Sequence, residues 1–234
     1  MVGVTNAGWD DAPHLGSQEK ERLLKSIPVY QVKARTRGIP MLGSGAIYPI
    51  DEDDIKCDMF EVPDLMPRAY GFDVGWNWTA AVWMARDYGT DTIYITDVYK
   101  RGQAEPASHI SAIKQRGDWM TGFIDPSAAG AGKAKDGISL MDDYSKELHV
   151  LPADNTVESG IWNLYERMTT GRLKVFRHLD LWFEEFRLYR RDDKGKIVKA
   201  NDHLMDASRY CARHIEQWSQ KPANMRAIRY IGST

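Results

Sequence analysis

The apolar and polar pattern changes character near Arg68. Before it, Thr5–His14 is loop-like, and a helix is predicted from about Ser17 to Lys25, with Ser17 as N-cap and Glu19, Lys20, Glu21 and Arg22 on its exposed side. Ile39–Gly45 is broken by Pro40, Gly43 and Gly45 and reads as a crossing strand or linker. From Arg68 onward the pattern is that of an ordered domain. Arg68–Asp73 reads as a strand ending in a turn. Thr79–Ala85 and Thr92–Tyr99 are β-branched and aromatic runs joined by Asp87–Asp91, a hairpin signal, so three consecutive antiparallel strands are predicted. A helix follows over Pro106–Gln115, with proline at a permitted N-terminal position. Then come a strand at Trp119–Ile124, a helix at Ile138–Leu148 and a strand at His149–Pro152. Helices at Glu158–Met168 and Leu179–Tyr189 flank an extended Leu173–Phe176, Asp193–Lys196 is a hairpin turn, and a last helix spans Asp202–Trp218. This order predicts an α/β domain built on a mixed sheet, without singling out one fold.

Composition narrows the class. With 43% apolar and 27% charged residues over 234 positions, the chain has the profile of a soluble globular protein. No apolar run reaches the length of a membrane span, and Met1–Thr5 lacks a secretory layout. Cys57 and Cys211 are too few for a disulfide framework and lack zinc-ligand spacing, so a reducing cytosol is expected. The net charge of −2 says nothing of partners, but its distribution is uneven. Residues 51–64 hold seven acidic residues and one lysine, whereas 187–199 hold six basic and two acidic ones. The basic run suits either a DNA-facing surface or a solvated face.

Three carboxylates stand out. Asp73 closes the first strong strand in Phe72-Asp73-Val74-Gly75, and Asp125 closes another in Phe123-Ile124-Asp125-Pro126, where the proline stops the strand and leaves the side chain at the rim. Each alone also fits a turn-forming aspartate. Two strands delivering carboxylates to one edge form a sharper signal, because hard cations such as Mg²⁺ need oxygen ligands from separate elements. The third candidate lies in Asp202-His203-Leu204-Met205-Asp206. Both aspartates fall off the stripe of Leu204, Ser208, Cys211, Ile215 and Trp218, so periodicity places Asp206 on a wet face, paired with Arg209 or Arg213. His203 reads as a surface or capping group, and Trp76 and Trp78, which follow Asp73, either stack or pack, with core packing the simpler expectation.

These motifs, with Arg209-Tyr210, Leu151–Asn155 and the lead-in Trp9–Leu15, closely resemble the nuclease domain of tailed-bacteriophage large terminase subunits, over nearly the whole chain. The resemblance implies a ribonuclease-H-like mixed sheet flanked by helices, and a two-metal-ion endonuclease holding Mg²⁺ or Mn²⁺ on Asp73, Asp125 and Asp206. The H-x-x-D spacing of His203 and Asp206 selects Asp206 over Asp202, leaving Asp202 and His203 to support the ligands. In that family the domain cuts double-stranded concatemeric viral DNA as packaging starts and when the head is full. Implied partners are DNA, an ATPase domain of the same full-length protein, the portal and the small terminase subunit, with no membrane, in the host cytoplasm. Lys133, Lys135, Lys194 and Lys196 are candidate phosphate contacts. Gly130–Ala134 fails the phosphate-loop pattern, so the chain reads as a C-terminal portion: residues 1–67 an inter-domain lead-in, 68–220 the nuclease domain, 221–234 a tail. Competing readings are another ribonuclease-H-like nuclease such as a Holliday-junction resolvase, or a non-catalytic module docking on DNA or the portal.

Overall fold

A computed structural model describes Trp9, residues 16–26, Thr36, 45–130 and 139–225. In chain order its main elements are helices α1 (Ser17–Ser26) and α2 (Glu52–Ile55), then strands β1 (Lys56–Cys57), β2 (Arg68–Asp73), β3 (Thr79–Asp87) and β4 (Thr92–Arg101). Helix α3 (Pro106–Lys114), β5 (Thr121–Ile124), α4 (Leu140–Ser145), β6 (Val150–Pro152), α5 (Val157–Thr169), β7 (Leu173–Phe176), α6 (Asp180–Leu188) and α7 (His203–Ala212) follow. The strands form one seven-stranded sheet in the order β1-β7-β4-β3-β2-β5-β6. The predicted trio β2–β3–β4 is antiparallel, whereas β5, β6, β7 and β1 join in parallel, so the sheet is mixed as expected.

The alternation along β2 and β3 is between two buried faces rather than between core and water. Ala69, Ala80, Val82 and Met84 face a large core closed by α5, α6 and α7, while Tyr70, Phe72, Ala81 and Trp83 face a second core with Ile113 and Tyr144 of α3 and α4. A strand buried on both sides explains why Thr79–Ala85 is almost continuously apolar.

Several sequence expectations change at their edges. The last helix stops at Ala212 and is followed by a 3₁₀ turn at Ile215–Gln217, because the chain turns to bring Ser219 against Arg68. Helix α4 starts only after Ser139, whose hydroxyl accepts from the Asp142 N–H in a reciprocal capping box. Ser17 is the first residue of α1 rather than its cap; the Gly16 carbonyl accepts from the Glu19 and Lys20 N–H groups. Residues 45–57, placed by the sequence in a lead-in, are packed into the domain: Tyr48 stacks on Phe186 at 5.9 Å, and β1 is an edge strand. Among the described residues no helix is long and apolar enough to cross a membrane.

Candidate metal centre at the sheet edge

The neighbouring strands β2 and β5 end together. Phe72 is in register with Ile124, and the Asp125 N–H donates to the Phe72 carbonyl at 2.9 Å, so Asp73 and Asp125 leave the sheet side by side. Helix α7 crosses β2 at Gly71, where a Cβ would lie 1.8 Å from the Ala207 carbonyl oxygen. Only a residue without a side chain allows this approach, and it sets His203 and Asp206 against the same edge.

Each carboxylate has its own surroundings. Asp73 Oδ2 lies 2.8 Å from His203 Nδ1. Burial pushes the Asp73 carboxyl above its ordinary range; the His203 hydrogen bond opposes this, and the charges of Asp206 and Asp125 reinforce it. Asp125 accepts from the Ser127 N–H at 2.9 Å and the Ser127 hydroxyl at 2.7 Å, so it also fulfils the turn role open to it. Asp206 corrects the wet-face expectation: it is buried, accepts from Arg209 Nη2 at 2.7 Å and faces Lys199 Nζ at 3.1 Å. Arg213 pairs instead with Asp154. Every residue of α7 from Leu204 to Ala212 is buried, because the helix is held between the sheet and helices α5 and α6.

A family profile described as the terminase RNaseH-like domain matches residues 71–214. The chain belongs to that family. The large terminase subunit of Salmonella phage P22 is 37% identical over 221 residues, which cover 88% of this chain and 43% of that protein. The chain thus spans less than half the length of the curated relatives it matches. The solved nuclease domain of the P22 large terminase superposes with a TM-score of 0.68 at 34% identity, covering 76% of this chain and 96% of that one. The magnesium-bound large terminase nuclease of thermophilic phage G20c shares the fold, with a TM-score of 0.52 at 16% identity over 74% of this chain and 99% of that one.

In this terminase domain the donor chemistry suits a hard cation, since it consists of carboxylates with one histidine at their flank. Among the described residues no three His, Cys, Asp or Glu groups stand close enough together to hold an ion. Each carboxylate is turned toward a protein donor: Asp73 to His203, Asp125 to Ser127, Asp206 to Arg209 and Lys199.

The other candidates divide. His203 is not a capping group but the partner of Asp73. Asp202 occupies the N-cap position of α7 without a side-chain cap bond, and its carboxylate faces Lys199 Nζ at 3.2 Å. The cap comes from a residue the sequence reading missed. Buried Glu185 of α6 accepts from the Leu204 N–H at 2.7 Å and from Lys100 Nζ at 2.6 Å, fixing the end of α7 that carries His203. Its signal was present: Glu185 shares the buried face of α6 with Trp182 and Phe186, an unlikely place for an unpaired acid. Trp76 and Trp78 do not pack in the core; they are 63% and 46% exposed. Lys133 and Lys135 lie outside the described residues. Lys194 and Lys196 sit exposed on a tight turn, with their N–H groups bonded to Asp192. Most of the remaining basic run is used internally, Arg187 by Glu52 and Arg191 by Glu158.

The His203–Asp73 pair makes stability depend on pH. The hydrogen bond that the His203 imidazolium donates to Asp73 holds its pKa above the ordinary 6.5, so the stabilisation is complete below that value and is lost as pH rises through the raised one. The raised Asp73 carboxyl acts in the same direction. In chelator, the melting temperature should therefore fall as pH rises above the ordinary histidine value of 6.5, and His203→Gln should flatten the profile. A melting temperature that rises over this window in the unsubstituted chain would contradict the assignment.

Proposed function

We propose that this terminase domain is a divalent-metal-dependent endonuclease that cuts double-stranded concatemeric viral DNA during genome packaging, with Asp73, Asp125 and Asp206 as ion ligands. The observation that carries this reading is the position of Asp73: half-buried at the end of β2, beside Asp125 at the adjoining end of β5 and held by His203 of α7, with the charges of Asp125 and Asp206 opposing its ionisation. A carboxylate kept in such a place is costly unless a cation joins it. The magnesium bound by the G20c nuclease supports the same chemistry.

When bound, two Mg²⁺ or Mn²⁺ ions would activate the attacking water and stabilise the leaving oxygen. The chain supplies the rest. His203 holds Asp73 in orientation from the first turn of α7, and Glu185 fixes that turn. Lys199 and Arg209 balance the charge of Asp206 until it is needed. Lys194 and Lys196 present charge to the phosphate backbone, and Lys133 and Lys135, after Asp125, are placed by sequence to do likewise. In this reading residues 68–220, together with residues 45–57 that pack into the same sheet and core, are the nuclease unit, preceded in the full-length protein by an ATPase domain, and the assembly engages the portal and the small terminase subunit in the host cytoplasm.

The test is supercoiled plasmid incubated with the chain in Mn²⁺, in Mg²⁺ and in chelator. Cutting should require the metal, and Ca²⁺ should bind without supporting efficient turnover. Undiminished cutting in excess chelator rejects the metal-dependent reading, and a strong preference for four-way junctions over linear duplex would redirect it to a resolvase.

DNA affinity should also fall with salt. Neutralising Lys194 and Lys196 together should make the log–log slope shallower by about two units, since each phosphate contact contributes about 0.9. An unchanged slope would assign the hairpin to solvent.

A further inference from the structure

Beside Asp73 lies an open cleft of about 720 Å³, lined by Asn77, Trp78, Gln103, Lys199, Asn201 and His203 among others. We infer that this cleft binds an unpaired nucleobase of a DNA strand, stacked on the indole of Trp78. The inference rests on the reading of the domain as a DNA nuclease and adds to it a place where a base leaves the duplex stack.

The exposure of Trp78 does not come from a loose loop. The Gln103 N–H donates to the Trp76 carbonyl at 2.9 Å, and the Thr79 hydroxyl donates to the Gly75 carbonyl at 2.9 Å, closing the loop that follows Asp73. Gly102 lets that loop approach, since a Cβ there would meet the Asn77 carbonyl oxygen at 2.1 Å. Lys100 Nζ lies 4.8 Å from the centre of the Trp78 ring and is itself tied to Glu185. The indole is thus fixed in place with nearly half its surface in water, at a hydration cost that burial elsewhere would avoid.

The backbone around the cleft carries a second sign. Among the described residues only Asp91, Gln103 and Asn201 are non-glycine positions with positive φ. Asp91 is held there by Arg86 and Arg172. Gln103 and Asn201, at φ 50° and 55°, both line the cleft. Left-handed backbone is unfavourable for residues with a Cβ and collects at functional sites. Here it sets two amides around one exposed indole. Amides offer both donors and acceptors to a base edge, and an aromatic face accepts any base, whereas the Lys199 ammonium nearby suits the adjoining phosphate. Trp162 of α5, also exposed, does not line this cleft; its ring lies beside Tyr165 at 5.8 Å.

The test is binding in chelator, which is independent of cutting. A short single-stranded oligonucleotide carrying one 2-aminopurine is titrated with the chain, and both affinity and fluorescence are read. The unsubstituted chain should quench the probe and prefer the single strand to a duplex of the same sequence. Trp78→Ala should weaken binding by about tenfold and remove the quench, while Trp78→Phe keeps most of it. Trp162→Ala should change neither, and the melting temperature of each variant checks the fold. A Trp78→Ala chain that binds and quenches like the unsubstituted one overturns the inference. So does an unsubstituted chain that ignores the single strand, or a loss shared equally by Trp162→Ala. Any of these leaves metal-dependent plasmid cutting, measured separately, intact.

Discussion

Asp206→Ala is expected to abolish plasmid cutting and, in chelator, to lower the stability of the chain by about 3–5 kcal/mol. The loss of cutting follows from its proposed place among the ion ligands. The loss of stability follows from Arg209, which is 1% exposed and gives Asp206 a hydrogen bond of 2.7 Å. Burial works against the guanidinium charge, but the charge and hydrogen bond of Asp206 hold its pKa above the ordinary value. Two of its nitrogens, Nε and Nη1, are already buried without a hydrogen-bond partner, so removing Asp206 leaves a buried guanidinium without its ion-pair partner. A simple view of clustered carboxylates, in which deleting one relieves repulsion and stabilises the fold, therefore fails at this position. The two effects can be separated. Adding Arg209→Met to Asp206→Ala removes the orphaned charge and should restore much of the melting temperature, as apolar replacements of buried ion pairs often do. Cutting should stay absent. If cutting returns with stability, Asp206 serves the fold and Asp202, 5% exposed on the same turn, becomes the candidate ligand.

The second large effect is expected at Gly71. Its absent Cβ would fall 1.8 Å from the Ala207 carbonyl oxygen, 2.7 Å from the Ala207 carbonyl carbon and 3.0 Å from the Cys211 nitrogen, all of them backbone atoms. A side chain at the far end of a rotamer could swing away; a helix axis cannot move without repacking. Gly71→Ala should therefore destabilise the chain by at least the upper end of the about 1–3 kcal/mol typical of an overpacked core. It should also push α7 off the sheet and spoil the His203–Asp73 contact. Loss of cutting should exceed the loss expected from unfolding alone at a temperature where the variant remains folded by circular dichroism. A variant with unchanged melting temperature and activity would mean that α7 does not rest on β2 as described. Gly122→Ala provides a comparison: its Cβ would meet the Tyr70 ring at 2.3 Å, so it should destabilise the other core without touching α7.

The sequence by itself determined the elements whose signal is local. The β2–β3–β4 trio, the turn at Gly195 and the strand ends at Asp73 and Asp125 were legible from β-branched runs, glycine and proline, because turn chemistry and strand propensity act over a few residues. The order of elements gave a mixed α/β sheet, and the three acidic motifs in sequence gave the family. Tertiary structure decided the rest. Helical periodicity reports which residues share a face, but not what each face meets. Helix α7 meets the sheet on one side and α5 and α6 on the other, so its polar face is buried as well, and Asp206 pairs with Arg209 away from water. The same limit hid Glu185, whose partners Lys100 and Leu204 lie 85 and 19 residues away in sequence. It also misplaced Trp76 and Trp78, whose loop is held at the surface by contacts with Gly102 and Gln103 just beyond β4, contacts that no local pattern encodes. Burial and charge pairing depend on distant segments meeting, and a sequence shows a meeting only where the backbone geometry, as at Gly71, leaves room for one residue type.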